Sequence, residues 1–456
     1  MNDRMQRAAE KVKAIVTKDG RVRRVYVLTF GCQQNEADSE KLLGMAGEMG
    51  YLPTKAPEEA DLILVNTCAV RDHAEKRALS IIGSFKHLRA KNPELLVGVC
   101  GCMAARGERV EQLRQSYPYV SFVLRPSDLD LLPERVLSVL TRHRRCFDMG
   151  EGTPAITEGI PTVRSSHFRA LVTVMYGCNN FCSYCIVPHT RDRERSRDSA
   201  AVVAEVRELV EAGYKEIMLL GQNVNSYRSD ISFAELLRRC DAIPGDYVLR
   251  FMSSHPKDMP EELILAMAEC THVETHFHLP VQSGSNKVLK EMNRRYDTEK
   301  YLSLVAALRE KVPHIVLTSD VMVGFPGETE EDFEDTLTTL RRAEFDLVYS
   351  FLYSPRPGTP AAEREDQVPE DVKSERFARL LRVQDEISLA KNQKEVGKTL
   401  RVLWCEPSKE EGVYSGRTKG GKLVHAPFPS SPIGTFRSVR IERAEPYALI
   451  GTPADK

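Results

Sequence analysis

The sequence lacks an apolar run long enough to cross a bilayer, a surplus of charge of one sign, and a fourth cysteine beside its densest cysteine motif. A bilayer span needs roughly 18 or more apolar residues and none is present, nor does a charged-then-apolar leader open the chain, so a cytoplasmic protein with no membrane partner is expected. The 64 Lys and Arg balance 65 Asp and Glu to a formal charge of −1, which argues against a uniformly basic nucleic-acid binder. Charge is nevertheless uneven along the chain. Residues 1–23 read as a basic extension, with Arg4, Arg7, Lys11, Lys13, Lys18, Arg21 and Arg23 against Asp3, Glu10 and Asp19. The 11 cysteines are odd in number and gathered in motifs, a pattern of metal ligation in a reducing compartment rather than of disulfides. At 456 residues the chain should form two or three domains.

The densest motif is GCNNFCSYC, in which Cys178, Cys182 and Cys185 are spaced Cys-x-x-x-Cys-x-x-Cys. A [4Fe–4S] cube held by protein alone takes four thiolates, so three leave one iron open to another ligand. A zinc knuckle is the competing reading, but zinc closes its shell with four N or S ligands and only His189 lies near. With Tyr184 before the last cysteine, the motif resembles the radical S-adenosylmethionine (SAM) superfamily. The resemblance implies that SAM chelates the open iron and is cleaved by one electron to a 5′-deoxyadenosyl radical.

From 24 to 146, short apolar runs alternate with helical spacing: VYVLTF, DLILVN, LLVGVC and YVSFVL as buried parallel strands, with helices at 38–49, 72–90 and 104–115. This is the pattern of a doubly wound α/β unit. Cys32, Cys68 and Cys102 each follow one of those strands. Ligand sites of open parallel sheets lie at that carboxyl edge, so the three thiols point to a second cluster. Gly31 and Gly101 would let backbone approach a bulky cofactor. Cys100 competes with Cys102, and we favour Cys102 because Cys100 ends a strand and suits a core. Residues 147–166, rich in Gly, Pro and Thr, read as a linker.

From 167 to 390 a strand-then-helix unit repeats six times, with strands near 171–176, 216–221, 247–253, 273–279, 315–324 and 347–353. Six units make a partial, TIM-like (β/α)6 barrel whose reactive groups gather at the carboxyl ends of the strands. The Cys178 loop follows the first. Gly221, Gln222 and Asn223 follow the second, Ser253 the third, Gln282 the fourth, and Asp320 with GFPGE the fifth. By resemblance to radical SAM enzymes, Gly221, Gln222, Asn223, Ser253 and Gln282 contact SAM. Arg197, in the run HTRDRERSR after the cluster motif, is the candidate for the SAM carboxylate, since a guanidinium pairs a carboxylate bidentately. The other arginines of that run are expected on RNA phosphates.

Residues 391–456 alternate as a small β-barrel with glycine turns. Its basic residues (Lys398, Arg401, Arg417, Lys419, Lys422, Arg437, Arg440 and Arg443) and its aromatics Trp404, Tyr414 and Phe428 suit RNA binding by charge and base stacking. A core role for Trp404 is the alternative.

In this order the three parts resemble the radical SAM methylthiotransferases, whose C-terminal part is a TRAM domain. The motifs FGCQQN, NTCAVRDHAEKR, GCNNFCSYCIVPHTR, SSHPKDMPEEL and LPVQSGSNKVLKEMNRRY carry the resemblance to the tRNA-modifying branch. In FGCQQN a Met more commonly follows the Gln after the Cys. The family implies two [4Fe–4S] clusters and SAM used twice, as methyl donor and as radical source. It also implies a tRNA anticodon stem-loop as substrate, with isopentenylated adenosine at position 37, and no essential protein acid or base. An electron-donor protein, iron–sulfur assembly or sulfur-supply proteins and a monomeric state complete the expectation. Siblings acting on threonylcarbamoyl-adenosine or a ribosomal-protein aspartate are rivals. A non-enzymatic iron–sulfur RNA-binding or redox-sensing protein is another, and the missing fourth cysteine at both sites argues against it.

Overall fold

A computed structural model describes residues 2–69, 72–150, 152 and 155–454, without the side chains of Asp72 and His73. Val70 and Arg71 of the NTCAVRDHAEKR motif, and Glu151, Thr153 and Pro154 of the expected linker, lie outside the described residues. The chain forms two compact units: residues 1–166, 175–179 and 186–197 in one, and 167–174, 180–185 and 198–456 in the other.

The first unit is the expected doubly wound sheet. Strands β1 (Arg23–Thr29), β2 (Tyr51–Pro53), β3 (Leu62–Thr67), β4 (Leu96–Gly101) and β5 (Phe122–Leu124) run parallel in the order β2-β1-β3-β4-β5. Every residue of β3 is buried. Leu62 and Leu64 enter the core on one face, and Ile63 and Val65 the core on the other. That two-sided burial is why these strands read as continuous apolar runs. The short edge strand β2 was not expected.

The helices are α1 (Asp3–Val16), α2 (Gln33–Glu48), α3 (Asp72–Lys91), α4 (Gly107–Ser116) and α5 (Leu132–Arg142). Residues 1–23, read as a basic extension, contain helix α1, which packs on the core of the first unit. Asn2 caps it by accepting from the Met5 N–H, and Met5, Ala9, Val12 and Val16 form a stripe buried against Leu42, Met45, Leu132 and Val136. Their helical spacing faces one side while the basic residues face water. The linker is likewise seated: Val163 donates to the Glu40 carbonyl, and a Cβ on Gly44 would stand 2.0 Å from the Pro161 carbonyl oxygen. Only glycine lets the linker cross α2 that closely.

In the second unit, strands Arg169–Thr173, Glu216–Leu220 and Val248–Phe251 form one parallel sheet, and His276–His278, Val316–Val323 and Leu347–Leu352 another. A parallel bridge from Leu249 to Val273 continues one into the next, giving the six-stranded partial barrel. Helix starts are fixed by side-chain caps at Asp198, Ser232, Asp297 and Thr329. The tail strands Thr399–Pro407, Val413–Thr418, Leu423–Pro427, Phe436–Ala444 and Leu449–Pro453 close into a barrel.

Two expectations for that tail change. Trp404 is fully buried with Val402, Val424, Val439 and Ile441, its ring edge-on to Phe428 at 4.7 Å. Residues 402 and 404 share a face of their strand, and closure turns that face inward. Trp404 is therefore core and not a stacking platform. Several of the basic residues are also spent on the (β/α)6 barrel rather than on a free face. Lys419 donates to the Thr271 carbonyl, Lys422 pairs with Asp346 at 2.7 Å, and Arg401 pairs with Asp246.

Arg250 anchors this junction. Its buried guanidinium pairs with Glu216 at 2.7 Å and Glu274 at 2.9 Å and donates to the carbonyls of Thr418 and Lys419. Removing one partner of a buried ion pair costs about 3–5 kcal/mol because the other charges stay desolvated. Arg250→Ala should therefore melt well below wild type by calorimetry, and an unchanged melting temperature would contradict the anchor.

Candidate functional site

In the first unit the three strand-end cysteines are tied together by asparagines. Cys32 takes the N-cap position of α2 and its Sγ lies 3.4 Å from Asn35 Oδ1. Asn35 Nδ2 donates to Asn66 Oδ1 and to the Thr67 carbonyl, just before Cys68, and Thr67 Oγ1 donates to the Cys100 carbonyl near Cys102. Two glycines make this approach possible. Gly31 and Gly101 have φ of +122° and +89°, and a Cβ would stand 2.9 Å from Cys68 Cβ at the first and 2.4 Å from Asn66 Oδ1 at the second. Cys68 and Cys102 are buried and Cys32 is exposed. Cys100 sits in the apolar core, where burial pushes its thiol up.

Arg191 completes this set. Its Nε donates to Cys102 Sγ at 3.3 Å and its Nη2 to Asn35 Oδ1 and Asp38 Oδ2 at 3.2 and 3.0 Å. Burial opposes its charge, but the Cys102 sulfur, Asp38 and Cys32 outweigh that cost and hold its pKa above the ordinary arginine value. Arg191 was expected on RNA phosphates with its neighbours, and at 5% exposure it cannot meet them. Cys178, whose N–H donates to the Asp192 carbonyl, belongs to this unit. So does Arg197, which is buried and pairs bidentately with Glu158 at 2.7 to 3.0 Å. Its carboxylate in this structure comes from the chain.

In the second unit, Cys182 receives a hydrogen bond from the buried Arg294 at 3.6 Å, and the Cys185 N–H donates to the Cys182 carbonyl. Arg294 also donates to Tyr296 and to the Pro280 carbonyl. Tyr184 packs against Val288, Met292 and Phe325. Gly221 and Asn223 are buried at the end of the second barrel strand, Gln222 half-buried beside them. Asn223 Nδ2 donates to Asp258, while its Oδ1 is buried with no hydrogen-bond partner. Asn180 Oδ1 and Ser254 Oγ are in the same state. Ser253 and Gln282 adopt φ of +69° and +68°. Left-handed conformations at such residues cost about 1–3 kcal/mol and cluster at binding sites. Here they fall at two strand ends expected to contact SAM.

Among the described residues no three His, Cys, Asp or Glu side chains crowd at the spacing of ligands to one metal ion. A cube takes each thiolate on a different iron, so its ligands need not meet at a point. The residues present fit such a group: Arg191 donates to the Cys102 sulfur in one unit, and in the other the Asn180 oxygen, inside the cysteine motif, is buried without a hydrogen-bond partner. Sequence reasoning missed Arg191, Arg294, Asn35 and Asn180. The signal for the last was its place inside the cysteine motif.

Comparisons with known proteins agree with this architecture. The Radical SAM superfamily matches residues 172–340, an uncharacterized protein family, UPF0004, residues 24–125, and the TRAM domain residues 393–454. Among solved structures, the radical S-adenosylmethionine methyltransferase TsrM from Kitasatospora setae shares the fold, with TM-score 0.55, 17% identity and 75% coverage of either chain. The cobalamin-dependent OxsB gives TM-score 0.51 at 12% identity over 80% of this chain and 56% of its own. The class is therefore a radical SAM enzyme carrying a TRAM domain. The tRNA-2-methylthio-N6-dimethylallyladenosine synthase of Caldicellulosiruptor saccharolyticus is 46% identical over 95% of this chain and 93% of its own length. That of Acetivibrio thermocellus is 46% identical over 98% and 95%. The chain belongs to this family, the radical SAM tRNA methylthiotransferases, which implies [4Fe–4S] clusters and SAM as its cofactors.

His255, in the SSHPKDMPEEL motif, carries a pH dependence. Burial first, and then Arg294, Lys257 and Arg295, depress its pKa to about 2 from an ordinary 6.5. Below pH 6.5 the unfolded chain takes up a proton that the folded chain refuses, so stability falls as pH drops below that value. Urea titrations at pH 7 and pH 5 should show a larger loss for wild type than for His255→Asn, and equal losses would contradict the assignment.

Proposed function

We propose that the chain converts N6-isopentenyladenosine at position 37 of tRNA to its 2-methylthio derivative, using one SAM as methyl donor and one as radical source. One observation carries this reading: two sets of three cysteines, each without a fourth, in a chain 46% identical to synthases named for that product. Cys178, Cys182 and Cys185 would hold the SAM-binding cluster, and Cys32, Cys68 and Cys102 the auxiliary one. When bound, these clusters and SAM supply the electron, the radical and the methylthio group.

The chain's residues bind, orient and shield. Tyr184, Gly221, Gln222, Asn223, Ser253 and Gln282 are the SAM contacts in this reading, supported by the unpartnered Asn223 oxygen and the strained backbone at Ser253 and Gln282. Arg197 is the candidate for the SAM carboxylate, which would have to displace Glu158. Reading an adenine in a barrel mouth requires it to leave the anticodon stack. The tail would hold the RNA, with Arg437 and Arg440 exposed on one strand. The reaction consumes electrons and sulfur, so an electron-donor protein and iron–sulfur assembly or sulfur-supply proteins belong to the reading, as do a monomeric state and a cytoplasmic location. Threonylcarbamoyl-adenosine and a ribosomal-protein aspartate remain the sibling substrates, distinguished by mass spectrometry of the product.

Anaerobically reconstituted variants test the division of labour. Cys182→Ala should abolish SAM cleavage. Cys68→Ala should still form 5′-deoxyadenosine but no methylthio product on an isopentenylated stem-loop, and equal loss of both activities in Cys68→Ala would contradict it.

A further inference from the structure

Tyr349 and Phe351, each 40% exposed, lie on the last barrel strand, an unusual place to leave large aromatics in water. Their direction is fixed by their neighbours. Tyr349 meets His278 edge-on at 5.7 Å, and His278 is hydrogen-bonded to Thr318 Oγ1 and lies 3.5 Å from Asp320. Val348 is buried on the other face, and the Ser350 hydroxyl is buried there too. In a βα barrel the helices cover the outer face, so Tyr349 and Phe351 face the lumen. The register pairs Asp320 with Tyr349 and Met322 with Phe351, and Met322 packs on the same cluster as Tyr184 of the cysteine motif. A half-open apolar wall with one carboxylate therefore rises up the lumen toward the Cys182–Cys185 loop.

We infer that the Met322/Phe351 and Asp320/Tyr349 pairs form the seat of the substrate base, the apolar pair covering the N6-isopentenyl group and Asp320 accepting the N6–H. This deepens the proposed function and rests on it. The base edge offers one N–H donor next to a branched hydrocarbon, which matches a carboxylate next to Met and Phe. A threonylcarbamoyl group would bring its own carboxylate against Asp320, and like charges there disfavour binding. The wall thus selects between the sibling substrates.

The test uses the reconstituted full chain, held anaerobic without reductant, and three fluorescent anticodon stem-loops that differ only in the target base: adenosine, N6-isopentenyladenosine and threonylcarbamoyl-adenosine. Wild type should bind the isopentenylated stem-loop at least about tenfold more tightly than the unmodified one, the scale of an apolar group filling an apolar pocket. Phe351→Ala and Met322→Ala should each shrink that ratio to near one, Phe351→Leu should keep most of it, and Asp320→Asn should improve binding of the threonylcarbamoyl stem-loop. Circular dichroism and thermal melting report that each variant is folded. A preference unchanged in both alanine variants, or no gain with Asp320→Asn, overturns the seat. Failure of reduced wild type to methylthiolate the isopentenylated stem-loop instead overturns the proposed function itself, so the two failures are separable.

Discussion

Cysteines from three separate strand ends stand at a partly buried edge of the sheet, and the buried Arg191 is the positive charge placed against Cys102 there. Its guanidinium reaches Cys102, Asn35 and Asp38 together, so it spans the end of β4 and the start of α2. Around it the Asn35–Asn66 pair fixes how near the β1 and β3 ends can come, and Gly31 and Gly101 remove the side chains that would forbid it. In the second unit the arrangement recurs, with Arg294 donating to Cys182. Hydrogen bonds and charges at cluster sulfurs are among the levers that set reduction potential. Both units thus place one buried arginine against one candidate ligand cysteine.

The barrel and its tail follow a related rule. Glu216, Glu274 and Arg250 are buried together, a costly choice unless every partner is satisfied. The two carbonyls that Arg250 also bonds belong to Thr418 and Lys419, so the charged group that completes the barrel interior also fixes the tail. This accounts for tail lysines that serve contact with the barrel instead of RNA. It leaves Arg437 and Arg440 as exposed basic residues on their strand.

Much of this was legible in the sequence because parallel strands buried on both faces announce themselves as apolar runs, and strand-end cysteines then fall on one edge. The first four barrel strands are legible for the same reason, while the last, Leu347–Leu352, is an apolar run although one of its faces is half open. Helix α1 was readable in principle from Met5, Ala9, Val12 and Val16, but its basic face dominated the reading. Trp404 was ambiguous because an alternating strand shows which residues share a face, not which face closure turns inward. Arg191 and Arg197 are alike in sequence and differ only in what the fold packs around them, Cys102 and Asp38 for one and Glu158 for the other. The lumen wall at Tyr349 and Phe351 was invisible for the same reason, since its meaning comes from the cross-strand register.

In the proposed function six cysteines hold two independent cubes, three to each. Iron and sulfide analysis with Mössbauer spectroscopy after anaerobic reconstitution tests it most directly. Wild type should hold about eight irons per chain as two [4Fe–4S] clusters, and alanine replacement of either cysteine triad should leave about four in the other. Full iron content after replacing Cys32, Cys68 and Cys102 together would contradict the account.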